Sequence, residues 1–549
     1  MGWLKKIFSA LTQKERLLFI FASAGAIVSF VVVMGMVIAQ ATTAIPTAGG
    51  EYIEGSLGQP EYINPVTASS QTDLDIVKMV YSNLSDLADS ITASPDLKTW
   101  DVRLKEGLTW QDGQKLTSDD VIFTVQSIQD PDAKSPLFQS WQGVTVNRVS
   151  ELEVEFTLTN PYAFFGNNLK DLYILPKHVY AGTPAGNWRL SDYNLKPVGS
   201  GPYEFLSYNK TANGFISSYS VQAWSGTSQA QPLIKNFDFK YFTDENTLVQ
   251  NFNSGQIDGF GNVSPEDISS INRPDNIVSW PTTRYYAVFF NQSKNLALQD
   301  PAVRKALSSA IDRNDLINNA LGGYGNADYG PIPQGAAYYS NAQTPTTSAS
   351  YAESLLDAAG WTVNSSTGFR SKMIQNASIP LVVNLTVPQI GFLAKTATYV
   401  QNAWQNIGVQ VNVIMDSADD IVNTTIPNRS YEALLFGNVL GPSSDLYSFW
   451  DSSQAFSPGL NLAIYQNPTV DNLIEKARQS PSDASTTQEL GMAQSQIMND
   501  NPAIFLYSTD YVYVMNKDVQ GVSTTLLNDP SDRFEGIGSW YLNTARVLK

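Results

Sequence analysis

Hydrolytic, redox and metal chemistry need side chains that this sequence almost lacks. There is no cysteine, and the one histidine is His178, in ILPKHVY. Thiolate catalysis and disulfides are therefore ruled out. A triad through His178 is formally possible, but no strained nucleophile turn accompanies it. One histidine without cysteine leaves a transition-metal cluster short of its usual ligands, so no metal or other cofactor is expected. Asp119 and Asp120 are adjacent carboxylates, which do not converge on one site when helical. Charge complementarity at a helix start explains them better. Asp and Glu are plentiful, so composition alone leaves a carboxylate glycosidase open. Gly322-Gly323-Tyr324-Gly325 lacks the order of a phosphate loop and reads as a turn. What remains is binding chemistry. The 26 Tyr and 11 Trp mostly belong to cores, but aromatics with a polar edge also suit a cleft that grips an extended polar ligand.

The elements that position such a cleft have clear local signals. In WQDGQKLTSDDVIFTVQSI (110–128), Asp112-Gly113 supplies a tight turn. Thr117 caps the next helix, with Asp120 in the third position of a capping box and Leu116 and Val121 as a staple. Val121, Val125 and Ile128 form its apolar stripe. Trp100, Val102 and Leu104 alternate, and Leu108 and Trp110 after Glu106-Gly107 suggest a hairpin. Strands are expected at 51–57, 152–158, 203–206, 234–241, 285–290 and 379–387, and helices at 73–84 and 245–252. Asp300-Pro301 starts a helix with Val303, Ala306, Leu307, Ala310 and Ile311 inward. Helices at 351–359 and 394–407 and the alternation Val409, Val411, Val413 then indicate an α/β domain. Asn467-Pro468 starts a helix burying Leu473, Ile474 and Ala477.

With 549 residues the chain can form two to four domains. At 43% apolar and 15% charged residues it is not a disordered chain. Its formal charge of -17, from 34 basic and 51 acidic residues, excludes nucleic acid as a partner, because phosphate binding needs a basic patch. Residues 17–39, LLFIFASAGAIVSFVVVMGMVIA, carry no charge and span about 34 Å as a helix, enough to cross a bilayer. Lys5, Lys6, Lys14 and Arg16 precede them and place 1–16 in the cytoplasm and the rest outside. Ala39-Gln40-Ala41 fits a signal-peptidase site, yet the apolar run exceeds a usual signal core. The expectation is an uncleaved anchor, with a secreted or periplasmic protein as the outcome of cleavage. Residues 40–49 read as a short linker.

Several quoted stretches carry a family likeness. WDVRLKEGLTWQDGQKLTSDDVIFTVQSI (100–128) resembles the signature region of family 5 bacterial extracellular solute-binding proteins, the oligopeptide, dipeptide and nickel receptors of ABC importers. VGSGPYEF (198–205), PAVRKALSSAIDRNDLINNALGGYG (301–325), AESLLDAAGW (352–361), NPTVDNLIEKAR (467–478) and NPAIFLYSTDYVYVMNKDVQGV (501–522) resemble it in order. The likeness covers nearly everything after Gly50. It implies an α/β, two-lobed periplasmic-binding-protein-like fold (type II, cluster C) with an extra subdomain, preceded here by the transmembrane helix. Lobe I would gather 50–84, 195–285 and 506–549, the extra subdomain 85–194, and lobe II 286–505. It implies a monomeric, non-enzymatic receptor that captures an oligopeptide or similar extended solute and delivers it to ABC permease subunits in the membrane. A nickel chelate, an oligosaccharide, or a peptide-sensing scaffold without transport are the alternatives. By the same likeness Ser69 and Gln71, in INPVTASSQTD (63–73), stand at ligand-contact positions, and Tyr285 would shape the cleft edge. In FGNVLGPSSDLYSFW (436–450), Asp445 remains and is expected to read a charged or amide group of the ligand, but Pro442 and Ser443 stand where the family's first carboxylate is expected. That departure puts the usual clamp on a peptide ammonium in doubt.

Overall fold

The computed structural model describes residues 12–548 apart from 274, 341–344 and 524–525. It begins with helix α1 (Gln13–Ala41), which holds the apolar run. This helix is long and apolar enough to cross a membrane, and its Gln13–Met36 span is not buried by the other described residues. Of the basic flank, Lys5 and Lys6 lie outside the described residues. The stretch expected to be a linker is mostly a strand, β1 (Thr42–Thr47), paired antiparallel along its whole length with residues 543–548. Thr, Ile and Thr favour extended backbone, but the partner lies some 500 residues away, beyond any local pattern.

Next come β2 (Glu51–Leu57) and helix α2 (Gln71–Val80), capped by Ser70. Then β3 (Ala88–Ala93), β4 (Thr99–Leu104), helix α3 (Ser118–Gln129), β5 (Thr145–Ser150) and β6 (Glu153–Thr157) build a subdomain around a sheet of order β3-β4-β6-β5. The capping box of Thr117 with Asp120 is present, Gly113 has φ +84°, and Leu116 and Val121 are both buried. The expected hairpin after β4 does not form. β4 pairs with β3 and β6, and the 108–110 stretch makes only a single bridge, Thr109 to Lys115.

The corner at 110–120 is a fastener. The Asp112 Oδ2 atom lies 2.7 Å from His178 Nε2, and Asp120 Oδ1 accepts from the Lys177 amide at 3.0 Å. Gln111 accepts from the Gly199 amide and donates to the Tyr203 carbonyl at 2.8 Å. Its target, the GSG of 199–201, needs glycine by close approach. A Cβ on Gly199 would stand 1.9 Å from the Val80 carbonyl oxygen, and one on Gly201 2.7 Å from that of Met79. The corner thus ties the subdomain to the end of α2.

The remaining strands are β7 (Tyr203–Lys210), β8 (Ile216–Ala223), β9 (Asn236–Phe242), β10 (Gly259–Gly261), β11 (Asp275–Phe290), β12 (Gly325–Ala327), β13 (Thr362–Val363), β14 (Arg370–Ile374), β15 (Ala377–Pro380), β16 (Val382–Pro388), β17 (Gln410–Asp416), β18 (Ala433–Val439), β19 (Ala503–Asn516) and β20 (Asn543–Leu548). One sheet of eleven strands runs β17-β16-β18-β11-β19-β10-β2-β9-β8-β7, with β12 paired to β19. Its β10-β2-β9-β8-β7 half is termed the near lobe and its β17-β16-β18 half, with the cores on either face, the far lobe. The long strands β11 and β19 cross between them, with register shifts between Pro281 and Tyr285 and again at Tyr286/Ala287. The strand expected at 379–387 splits at the buried Leu381: β15 joins a three-stranded sheet with β13 and β14, and β16 joins the main sheet.

Helix Gly391–Asn406 connects the parallel pair β16 and β17, as the α/β reading expects. Asp300 caps helix Pro301–Ser309, and Val303, Ala306 and Leu307 are fully buried. Ala310 is only half-buried. Tyr285 and Tyr286 point to opposite faces of β11 and belong to separate cores, one with Trp450 and one with Trp404. A third core, around Trp100, Phe237 and Trp540, unites the near lobe with the subdomain.

Candidate functional site

The subdomain meets the far lobe at one compact contact. After β18 the chain turns through Gly441 (φ +68°) and Ser444 (φ +49°), which sets Asp445 facing the subdomain. Asp445 Oδ2 accepts from the Tyr162 hydroxyl at 3.1 Å and pairs with Arg478 Nε at 3.1 Å. Its other oxygen accepts from the Tyr447 amide at 3.0 Å. The Arg478 guanidinium lies 4.2 Å from the centre of the Tyr447 ring and 5.1 Å from that of Tyr162. Beside it the Ala163 amide donates to the Arg478 carbonyl at 2.7 Å, and the buried Phe164 ring packs 5.7 Å from Tyr338. Burial pushes the Asp445 carboxyl up, against the pull of Arg478 and its hydrogen bonds. The carboxylate is already matched by a cation from its own lobe.

A cavity of about 420 Å³ opens where Pro442, of the far lobe, faces Lys78, Asp86, Asp171, Asn528 and Glu535. Helix α2 sets one wall. Lys78 pairs with Asp532 at 2.6 Å and Glu535 at 3.2 Å, so its charge is spent. Asp86 accepts from Gln229 Nε2 at 2.7 Å. The Asp171 carboxylate makes no hydrogen bond or ion pair among the described residues. It opens onto the cavity, yet surrounding protein desolvates it, and this pushes it up to about 6 despite nearby Lys78. Asn528, on the lining of this cavity, has a buried Oδ1 without a hydrogen-bond partner among the described residues. Groups of this kind usually have partners, and a ligand can supply them. A second hollow of about 490 Å³ lies at the end of β18, lined by apolar side chains such as Val422, Phe436, Val439 and Leu460. A larger one, about 700 Å³, opens on the subdomain between 103–117 and 150–153, and no far-lobe residue lines it.

Behind the α2 wall lies a buried ionic network. Arg533 forks onto both oxygens of Asp75 at 2.8 and 2.7 Å and reaches Glu54 at 3.1 Å. The Tyr513 hydroxyl donates to Glu54 and lies 2.6 Å from that of Tyr52. Burial raises the Glu54 carboxyl to about 7, against the pull of Arg533. The network ties β2, α2, β19 and the 528–535 segment together.

The four residues expected at the site fare differently. Ser69 is exposed just before α2. Gln71 donates to Asp75 at 2.9 Å and Asp529 at 3.3 Å, so its amide braces the network. Tyr285 does not shape the edge of the cleft. It is fully buried, and its hydroxyl accepts from Asn438 at 2.8 Å and Trp450 at 3.2 Å. Asp445 lies at the lobe contact, matched by Arg478. Tyr162, Arg478, Lys78 and Asp171 escaped sequence reading. Arg478 closes a stretch singled out for its family likeness, and Tyr162 follows the Asn160-Pro161 strand stop, but neither position signals its partner.

The family described as "Bacterial extracellular solute-binding proteins, family 5 Middle" matches residues 84–457. The chain belongs to that family. Family 5 relatives include the oligopeptide-binding protein AppA of Bacillus subtilis, 27% identical over 516 residues, covering 90% of this chain and 92% of AppA. Among solved structures, the ABC transporter substrate-binding protein CtaP of Listeria monocytogenes superposes with a TM-score of 0.77 at 27% identity, over 90% of this chain and all of CtaP. Bacillus subtilis AppA in complex with a nonapeptide gives 0.67 at 26%, over 91% of this chain and all of AppA. The two-lobed family 5 fold, with its extra subdomain and an apolar N-terminal helix, is thereby established.

Proposed function

We propose that the protein captures oligopeptides between its lobes and delivers them, as a monomer and without catalysis, to the permease subunits of an ABC importer. The observation that carries this reading is the cavity at Pro442, bounded by both lobes and edged by the Asp171 carboxylate and by Asn528, whose Oδ1 has no hydrogen-bond partner among the described residues. The nonapeptide complex of AppA supports a peptide as ligand. Backbone groups of an extended peptide would pair much as an added strand does, and an apolar side chain would fill the hollow at the end of β18. The far-lobe carboxylate that family likeness expects at Pro442 or Ser443 is absent, and Asp445 is occupied by Arg478. We assign the peptide ammonium to Asp171 on the opposite wall. Helix α1 holds the receptor on the outer face of the membrane, and we take 286–505 as the far lobe.

The test is native mass spectrometry of the purified protein with a pooled peptide library, followed by calorimetry on a recovered peptide. Intact peptides several residues long are expected, and Asp171→Asn should lower affinity about tenfold, the worth of one charge-assisted bond. N-acetylation of the peptide should cost as much in the native protein and little further in Asp171→Asn. Cleaved fragments alone would mean an enzyme. Tight binding of a nickel chelate or an oligosaccharide with no retained peptide would overturn the ligand.

A further inference from the structure

Helix α1 ends at Ala41 and β1 starts at Thr42, so no loop separates the apolar helix from a paired strand. All six residues of β1 are in register with β20, from Thr42 opposite Leu548 to Thr47 opposite Asn543. Arg546 Nε adds a bond to Thr42 Oγ1 at 2.9 Å. The pairing continues into the body without slack. The Gly49 amide donates to the Leu233 carbonyl at 2.8 Å, and Gly49 and Gly50 take φ +138° and +90°. A Cβ on Gly49 would lie 3.1 Å from the side-chain Nδ2 of Asn543, and one on Gly50 2.9 Å from Leu542 Cδ1. Both glycines are pressed against the stretch that leads into β20.

We propose that the β1–β20 ribbon is a rigid stand that fixes the receptor body at one height and orientation on its membrane helix. The proposal rests on α1 remaining attached. Ten residues of free coil would wander over about 17 Å. A six-residue strand spans about 20 Å in one direction, and here its second edge is held by a segment anchored in the near lobe. A receptor on such a stand serves a permease beside it in the membrane. It gains by presenting its cleft in a constant direction, at the cost of reach.

The test uses the full chain in membranes. The sequence has no cysteine, so a Thr43→Cys, Val547→Cys pair places the only two thiols directly opposite each other. Mild oxidation should cross-link them nearly completely. Thermolysin, which can cut before Ala44, should release the body from membranes at least tenfold faster when residues 543–549 are removed. Peptide affinity should stay unchanged in the truncated chain. In the cross-linked protein, release should require a reductant. Equal release rates with and without 543–549, or absence of the cross-link in membrane-bound protein, would overturn the stand alone. A soluble mature chain beginning at Thr42 would overturn the anchor and the stand together, and N-terminal sequencing tells the two failures apart.

Discussion

Tyr162→Phe removes one oxygen from the contact between the lobes and little else. The lost hydroxyl donates to Asp445 across the cleft at 3.1 Å. The ring remains, with its contacts to Arg478 and to Phe164 at 5.1 and 5.7 Å between centres. A hydrogen bond to a charged acceptor contributes about 1.5 to 3 kcal/mol. Asp445 keeps its ion pair with Arg478 and its bond from the Tyr447 amide, so the lower end applies, about 1.5 kcal/mol. The bond can form only when the subdomain touches the far lobe. Its loss therefore moves the closed-to-open equilibrium about tenfold toward open. A peptide that requires the closed form should bind about tenfold more weakly, mainly through faster release. Calorimetry with a recovered peptide gives the affinity, X-ray scattering the closed fraction, and urea unfolding the stability of the body. We expect a tenfold higher Kd, fewer closed molecules and an unchanged urea midpoint. Unchanged affinity and closure would refute the latch. So would an affinity loss matched by a fall in the urea midpoint, which would mean that the bond supports folding rather than closure.

Glu54 makes stability depend on pH in an unusual direction. Its carboxyl is raised to about 7 in the folded protein, so the folded state holds this proton more tightly than the unfolded chain does. The contribution to stability is full below the ordinary carboxyl value and is lost as pH rises from about 4.5 to about 7, some 3 kcal/mol in all. Glu54→Gln, which keeps an acceptor for Tyr513, should remove that slope and unfold at higher urea than the native protein at pH 8; parallel pH profiles of the two would refute this. Thr117→Ala deletes the helix cap and should cost about 1 kcal/mol in urea unfolding, leaving peptide affinity unchanged because the corner fastens the subdomain without lining the cavity.

Local signals read well in this sequence, and long-range partnerships did not. The Thr117–Asp120 capping box and the Asp300 cap are settled within four residues, so the pattern alone exposes them. The α/β character of the far half also showed, because β16, its helix and β17 follow one another. The hairpin expected after Trp100–Leu104 failed because those residues find strand partners at 88–93 and 153–157 instead. The ribbon of β1 was invisible because its partner lies near the other end of the chain. Site chemistry was the least legible. Asp445 stood out by family likeness, but its meaning depends on Arg478, 33 residues on, and on Tyr162, 283 residues back. Tyr285 looked like a cleft aromatic because a tyrosine serves as well in a core with its hydroxyl bonded as at a rim. Lys78 and Asp171 meet at one cavity only because the 172–174 stretch is bonded to Ser82 and Leu84, just beyond the end of α2.

The place of β19 between β11 and β10 sets an order in time. The near lobe holds β2, among the first strands to leave the ribosome, but its sheet stays incomplete until β19 arrives, and Arg533 comes later still. At about 5 to 20 residues per second, roughly 20 to 90 s separate the synthesis of β2 from that of β19. During that interval the near lobe carries open strand edges and a carboxylate pair, Glu54 and Asp75, without its cation. The far lobe also waits for β19, so neither half can finish first. Until the last fifty residues of the chain emerge, the one sheet that the two halves share stays unsealed, with strand edges open to pairing.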